Sequence, residues 1–533
     1  MKKLNILFVA FTLFLSTACD KESLDLINPN EPGMTALETE QGLIRASLGI
    51  YEKFGLEYWW LALNNHDLMG DAYASHVGNF AWRWLNQPTS MTLSDGTVIT
   101  PPAGGSQPDE MRNRNSRAFS NDNQFYNEWL AVYLVNNQAN MLLEILESEN
   151  LSLSGNAEEK KKIVEAWAYW WKGFAYSRIG SLYIAGIITD VFNETNDNYV
   201  TNTEMIAAAN ANFDKAISVL QTLSATETYN EFLGGMIPSF TKVGKGGVLT
   251  PEEWIRNINT YKARNLLVNK SVNDLSAGDL AAIKSLAENG IRQGDKIFTM
   301  RSASENDLVS LTAWQPYRSL AGWSYISERL IQEFYPGDDR FTRNFYIPST
   351  GYWQLNPGSR GFQYSTRYDI IPIESGGDYS TTVTGLAEIP VGGSFEENEL
   401  MLAEAKIRAG DIEGGVAHID AVREFQRAGL APLAGQGLSQ EEALEHLRRE
   451  RRVGLLNKGV AFYDARRVGY LKPVSQGGGR HGAVLLYPNA NNQATLDTNV
   501  TINYNYLEWW DVPMNELEFN APRQGSAPVE YTN

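Results

Sequence analysis

Apolar residues recur every three to four positions along most of the chain, and this helical period predicts a mainly α protein. Residues 157–182 carry it most clearly: Ile163, Trp167, Trp170 and Phe174 fall at i, i+4, i+7 and i+11, on one helical face. Residues 34–54 follow the same rule with Leu37, Leu43, Ala46, Leu48 and Tyr51, and 119–148 with Trp129, Tyr133, Leu142 and Leu146. Further helices fit 202–223, 251–269, 277–289, 396–409, 412–428 and 440–457. Three starts are capped: Thr201, Thr250 and Ser439 each precede a Glu by three residues (Glu204, Glu253, Glu442), and Pro251 opens the second. A reciprocal cap of this kind satisfies orphan backbone N–H groups and contributes about 1 kcal/mol.

The helices also come in pairs. Gly410-Asp411 makes a tight turn between 396–409 and 412–428, the form of one unit in a tetratricopeptide-type array. Helices 251–269 with 277–289, and 157–182 with 202–223, offer two more pairs. No clean 34-residue period recurs, so the array is loose, and an irregular helical domain fits the pattern equally well. Elsewhere the period fails. Residues 86–118 hold Pro88, Pro101, Pro102, Gly104, Gly105 and Pro108, with Asp95-Gly96 between β-prone runs, which reads as a long loop with a small hairpin. Residues 298–394 and 471–533 are mixed, rich in Gly, Pro and aromatics. The pattern alone predicts a mainly α fold of helix pairs beside a loop-rich part with a few short strands, and the resemblance stated below implies that the pairs are tetratricopeptide-like and pack against that part. Helix pairs occupy about 34–86, 119–290 and 396–470, and loop-rich ligand-binding parts about 79–118, 298–394 and 471–533. Structured loops on a rigid scaffold are where binding resides.

The first 33 residues stand apart. Met1-Lys2-Lys3 is a positive start, Leu4 to Leu15 is apolar except for Asn5 and Thr12, and Ser16-Thr17-Ala18 leads to Cys19. A dozen apolar residues span a bilayer poorly, so residues 1–18 read as a cleaved signal peptide. The arrangement resembles a lipobox, although Leu15 stands four residues before the cysteine and Ser16 occupies the usual apolar position. Cys19 is the one cysteine of the chain, so it has no internal disulfide partner and is the expected lipidation site. Each buried lipid CH₂ contributes about 0.8 kcal/mol, so two or three acyl chains anchor firmly. Residues 19–33 form a polar tether that ends in Asn28-Pro29-Asn30-Glu31-Pro32-Gly33.

Charge narrows the partners. Lys plus Arg number 45 against 63 Asp plus Glu, and the formal charge of −18 becomes −20 once Lys2 and Lys3 leave with the signal. Nucleic acid, which needs clustered positive charge, is not an expected partner. Catalytic signatures are missing. His66, His76, His418, His446 and His481 include no pair at metal-ligand spacing, and no phosphate-binding Gly-Lys loop, nucleophile elbow or zinc helix occurs. No catalytic residue, metal site or cofactor is expected. Carboxylates meeting across the fold leave a helical glycosidase as one alternative. Arg448, Arg449, Arg451, Arg452, Arg466 and Arg467 are interleaved with Glu445, Glu450 and Asp464 and read as an intramolecular ion-pair network.

The aromatic inventory, 14 Trp and 25 Tyr, points to a binding protein. Several rings lie in polar, Gly- and Pro-rich surroundings: Trp82 and Trp84 beside Asn86, then Trp314, Tyr317, Trp323 and Tyr325, then Tyr352 and Trp353. A flat ring covers the C–H face of a sugar while polar side chains bond its hydroxyl rim. Half-covering one ring in this way contributes roughly 2–3 kcal/mol.

Four stretches resemble the SusD/RagB family, surface lipoproteins that partner TonB-dependent transporters in glycan-foraging Gram-negative bacteria. They are Cys19 through Leu24-Asp25 to Asn28–Pro32; the helix Glu165–Tyr176; Leu402-Ala403-Glu404-Ala405-Lys406 through Gly410-Asp411 to Ile419–Arg423; and Glu450-Arg451-Arg452 with Phe462–Arg467, ending near Trp510–Leu517. Gly454 stands where the family usually has Glu, and Lys458-Gly459-Val460 replaces its common Glu-Gly-His/Arg, which suggests a divergent branch. The resemblance implies a non-enzymatic protein, lipid-anchored in the outer membrane and surface-exposed. Such a protein captures oligosaccharide or polysaccharide and delivers it to a SusC-like TonB-dependent transporter. Trp82, Trp84 and Asn86 match the family's early ligand-site loop by position, and Trp314, Tyr317, Trp323 and Tyr325 its mid-chain loops. A peptide-capturing relative and a helical-repeat scaffold are further alternatives. Some relatives bind calcium; no calcium loop is evident here, although residues 190–197 carry many oxygen ligands.

Overall fold

The computed structural model describes residues 34–56, 59–75, 79–101, 105–301, 324–351, 353–354, 362, 365–371, 375–379, 388–489, 491 and 493–532. The signal segment, Cys19 and its tether lie outside the described residues, as do Trp314, Tyr317 and Trp323. The protein is mainly helical, with paired helices, long loops and short strands. In chain order the helices are α1 (Glu40–Leu56), α2 (Trp59–Met69), α3 (Trp82–Leu85), α4 (Gln107–Asn113), α5 (Gln124–Leu146), α6 (Ala157–Leu182), α7 (Asn202–Leu220), α8 (Glu227–Met236), α9 (Pro251–Val268), α10 (Ala277–Glu288), α11 (Glu328–Ile331), α12 (Asp339–Asn344), α13 (Phe395–Arg408), α14 (Ile412–Phe425), α15 (Gln440–Gly454), α16 (Ala461–Arg467) and α17 (Met514–Leu517).

The caps set the starts. Thr201, Thr250 and Ser439 form reciprocal capping boxes with Glu204, Glu253 and Glu442, and Ser276 does the same with Asp279 at α10. Helix α6 spans the residues its apolar period marks out. It packs against α5 and α7. The approach to α7 is close because Gly173 faces Phe213: a Cβ there would sit 2.5 Å from the ring.

Tryptophan fills the centre. Trp167, Trp170 and Trp171 of α6 meet Trp254 of α9, Tyr51 of α1 and Phe298, all buried, at ring separations between 4.6 and 6.2 Å. Most of these pairs are edge-to-face, which sets the positive edge of one ring against the negative face of the next. Helix α13 is buried on two faces. Leu400, Ala403 and Ile407 join a small core with α14 and α15, while Met401, Leu402 and Ala405 join another with α9 and α10.

The region 471–533, expected to be loop, contains the longest strands, Arg480–Pro488 and Ala494–Asn503. They form the middle of a six-stranded antiparallel sheet ordered 98–99, 90–92, 494–503, 480–488, 365–366, 353–354. Thr, Asn and Asp dominate the second strand, so apolar alternation is faint there. The hairpin expected at Asp95-Gly96 is present, with Gly96 at φ 86° and Leu93 N–H donating to Thr97 O at 2.8 Å. Helix α8, capped by Thr226, and helix α4 fall where no helix was expected.

Candidate ligand-binding face

One short ladder joins the chain just before the early ring-bearing segment to the residues around Tyr325. Strand Tyr73–Ser75 pairs antiparallel with Ser324–Ile326, setting Ala74 opposite Tyr325. Asp71, just before the first strand, locks the crossing. Its carboxylate accepts from Arg329 Nε at 3.0 Å and Nη2 at 2.9 Å, from Ser327 Oγ at 3.0 Å and from Tyr504 OH at 2.7 Å. Burial alone would raise this carboxyl, but the Arg329, Arg480 and Arg452 guanidiniums together hold it well below the usual carboxylate range. A bidentate Arg–carboxylate pair fixes orientation as well as distance. No local pattern marks this pairing, because 258 residues separate its members.

Beyond the strand the backbone is unusual. Phe80 (φ 56°, ψ 19°) and Ala81 (φ 54°, ψ 18°) are both left-handed, a conformation that costs a side-chain-bearing residue roughly 1–3 kcal/mol. This kink starts α3, and α3 sorts its rings by helical geometry. Trp82 and Leu85, three residues apart, turn inward; Trp82 is 0% exposed and its ring lies 5.7 Å from that of Phe80. Trp82 is thus a core residue in this structure. Trp84, on the other side, is half-buried, and Asn86 caps the helix, also half-buried.

Trp84 does not stand alone. The guanidiniums of Arg114 and Arg83 lie 5.1 Å and 5.5 Å from its ring centroid. Arg114 is steadied by an ion pair to Glu110 and by the Glu110 carbonyl at 3.1 Å, and it also lies 5.9 Å from the Phe119 ring. Next to it, Arg117 covers the Phe519 ring at 4.6 Å and pairs with Glu518 at 3.7 Å. Phe119 is 43% exposed and Phe519 73%. The result is a face of three rings interleaved with guanidiniums, drawn from α3, the segment after α4, and the chain after α17. Phe119 and Phe519 were not singled out from the sequence; isolated Phe in a polar stretch gives no signal until the fold gathers it.

Tyr325 is 6% exposed, and burial with nearby Asp369 raises its hydroxyl above the ordinary value. Asp369 is itself raised to about 7 by burial. Trp353 lies in a strand opposite Thr366, and Tyr352 is outside the described residues.

The other candidate chemistry resolves into structure. His66 is buried between Glu128 at 3.2 Å and Arg178 at 2.9 Å; burial and Arg178 lower it to about 4, so the imidazole is neutral. Asp190 and Asn193 of the oxygen-rich stretch are engaged by Lys172 at 2.9 Å and Asn137 at 2.9 Å. Among the described residues no group of three or more His, Cys, Asp or Glu is arranged to hold a metal ion, and no helix is long and apolar enough to cross a membrane. The arginine cluster is an ion-pair network: Arg448 pairs with Glu333 and Glu445, Arg451 with Asp464, and Arg467 with Glu404. Arg466 instead donates to the carbonyls of Ser181 and Val268.

Comparison with known proteins agrees with this architecture. The SusD family model matches residues 399–523. No curated protein sequence matches the chain. A SusD-like carbohydrate-binding protein from Bacteroides vulgatus superposes with a TM-score of 0.54 at 13% identity, over 93% of this chain and 100% of that one. A protein from the same organism described as sugar-binding gives 0.55 at 15%, over 90% and 96%. NanU of B. fragilis gives 0.51 at 14%, over 83% and 92%. The resemblance to the SusD/RagB family therefore holds in sequence over residues 399–523 and in fold over most of the chain.

Proposed function

We propose that the protein binds oligosaccharide at the ring-and-guanidinium face around Trp84 and passes it to a TonB-dependent transporter, tethered to the outer membrane through lipid on Cys19. The observation that supports this reading is the exposed or half-buried set of rings Trp84, Phe119 and Phe519 with Arg83, Arg114 and Arg117 over them. Stacking on Trp84 covers the apolar face of a sugar, and Arg83, Arg114 and Asn86 supply donors for its hydroxyls. Trp314, Tyr317 and Trp323, outside the described residues, stay candidates for ligand contact on the resemblance alone. The role is binding, not catalysis.

Affinity electrophoresis in polysaccharide gels tests the site. Trp84→Ala lowers retention about ten-fold, equivalent to about 1.4 kcal/mol, and Trp314→Ala lowers it further. Retention unchanged in both, with the fold intact, removes the face as the site; capture of peptides but of no glycan replaces the substrate class. Cys19→Ala in the native cell releases the protein from the membrane fraction and abolishes labelling by radioactive fatty acid. Membrane retention by that variant removes the anchor.

A further inference from the structure

Between residues 328 and 378 the buried carboxylates come with guanidiniums. Glu328 pairs with Arg367, Glu333 with Arg448, Asp338 with Arg340 and Asp378 with Arg343. Asp369 is the exception. It is half-buried, yet no Lys, Arg or His pairs with it among the described residues. Arg367, two residues earlier, turns instead to Glu328, with Nε at 3.1 Å and Nη2 at 2.9 Å. Asp369 Oδ1 accepts from the Ile370 N–H at 2.8 Å, and Oδ2 from the Tyr346 hydroxyl at 3.5 Å. An ionised carboxylate accepts at about four positions, so acceptor capacity remains.

Strand geometry sets a ring beside it. Residues 345–346 pair antiparallel with 369–370, Tyr346 opposite Asp369 and Phe345 opposite Ile370. Directly opposite residues share one face, and successive residues alternate between faces. Phe345 and Ile370 are buried on one side, and Tyr346 and Asp369 take the other. There Tyr346 is 37% exposed, and Ile347 after it is 56% exposed. Burial raises the hydroxyls of Tyr346, Tyr325 and Tyr73, and the nearby Asp369 adds to each. Tyr325, singled out from the sequence, is too buried to present its ring; Tyr346 presents one at the same carboxylate.

We propose that Tyr346 and Asp369 form a sugar-binding subsite, with the ring over the C–H face of one sugar unit and the carboxylate accepting from two adjacent hydroxyls. The subsite rests on the glycan reading given above and adds a contact that does not use Trp84. Hydroxyls donate more strongly to an ionised carboxylate than to a neutral carboxyl. Burial raises Asp369 to about 7, so its contact strengthens as pH rises through neutrality. The groups facing it are the hydroxyls of Tyr346, Tyr325 and Tyr73, all raised above the ordinary value of about 10. Of this set, Asp369 is the member that changes charge near neutral pH.

Affinity electrophoresis of the full chain, in gels cast with amylopectin, xylan, yeast mannan or pectic galactan at pH 5.5 and 8.5, tests this. Wild type is retained several-fold more strongly at pH 8.5. Tyr346→Ala lowers retention about ten-fold at both pH values. Asp369→Asn lowers it about ten-fold at pH 8.5 and leaves it at the wild-type level at pH 5.5. Asp369→Asn removes a carboxyl whose ionisation opposes folding, so its Tm at pH 8.5 is at or above that of wild type, and lost retention is not lost folding. Wild-type retention in Tyr346→Ala and Asp369→Asn, with Trp84→Ala weakened, overturns the subsite and leaves the glycan reading standing. So does a loss in Asp369→Asn that is equal at both pH values. Retention of wild type in none of the gels overturns the subsite together with the glycan reading.

Discussion

The centre of the protein and its C-terminal helical unit are both buried, yet they are held by different physics. In the middle of α6 the contacts are ring on ring, with Trp167, Trp170, Trp171, Trp254 and Phe298 packed together, and the buried charges of that helix, Lys172 and Arg178, pair with Asp190 and Glu128. Around α13 to α16 the helices are laced by buried ions. Arg264 pairs with Glu397, Arg340 and Arg423 share Glu450, Arg467 pairs with Glu404, and Lys245 and Lys458 both reach Glu396. Apolar packing is non-directional and indifferent to pH. A buried ion pair demands geometry and a fixed protonation state, and its desolvation can cancel its attraction. The difference teaches what each region is built to do. The tryptophan centre supplies stability. The ion pairs fix which helix meets which, and they add stability only as long as every member stays charged.

Four changes break or sharpen this contrast. The largest effect is expected at the centre. Trp170→Ala removes a fully buried ring and costs about 4 kcal/mol, read as a fall in the urea midpoint. A loss under about 1 kcal/mol would show that the ring cluster is not the main support. Next comes Glu450→Gln, which leaves Arg423 buried without its counter-charge and Arg340 with Asp338 alone, and costs about 3 kcal/mol. A near-neutral result would mean that the two guanidiniums find other acceptors.

The third change concerns pH, where two carboxyls work in opposite directions. Burial would raise Glu404, but Arg467, Arg451 and Arg408 together bring the carboxyl to about 2. Its contribution is therefore present above the ordinary glutamate range and is lost as pH falls toward 2. Asp67, in α2, is raised to about 8 by burial, with the Asn457 N–H and Arg452 opposing. The folded state holds its proton where the unfolded chain has released it, so Asp67 costs stability as pH rises from about 4 to 8. Asp67→Asn flattens that neutral slope in Tm measured at pH 5, 7 and 9, and leaves the acid limb in place. An unchanged slope would assign it to another group, with Asp369 the next candidate.

The smallest stability effect is expected on the candidate face. Trp84→Ala, at a half-buried ring, shifts stability by about 0.5 kcal/mol while binding falls. A loss of several kcal/mol would place Trp84 with the centre and not with the face.

The pattern of apolar positions was enough to find α6, α9, α10, α13 and α14, and the capping residues marked the starts of α7, α9 and α15. These features are local: a 3.6-residue period and a cap three residues from its Glu are written within one or two turns of chain. The arginine network was legible for the same reason, since Arg448, Arg451 and Arg467 stand close to Glu445 and Asp464 in sequence. The site was half-legible. Aromatics in a polar stretch marked residues 82–86, but the sequence alone could not sort Trp82 from Trp84. Burial there follows from the left-handed turn at Phe80 and Ala81, which sets the phase of α3. Phe519 and Asp71 act through partners far along the chain, and Phe119 joins Trp84 only through Arg114 between them. The long hairpin at 480–503 is likewise a tertiary product: its polar second strand has little apolar alternation and is held by ladders on both sides. Sequence decided what each segment does within its own hydrogen bonds, and tertiary structure decided which side chains share a surface, because that depends on contacts no local pattern encodes.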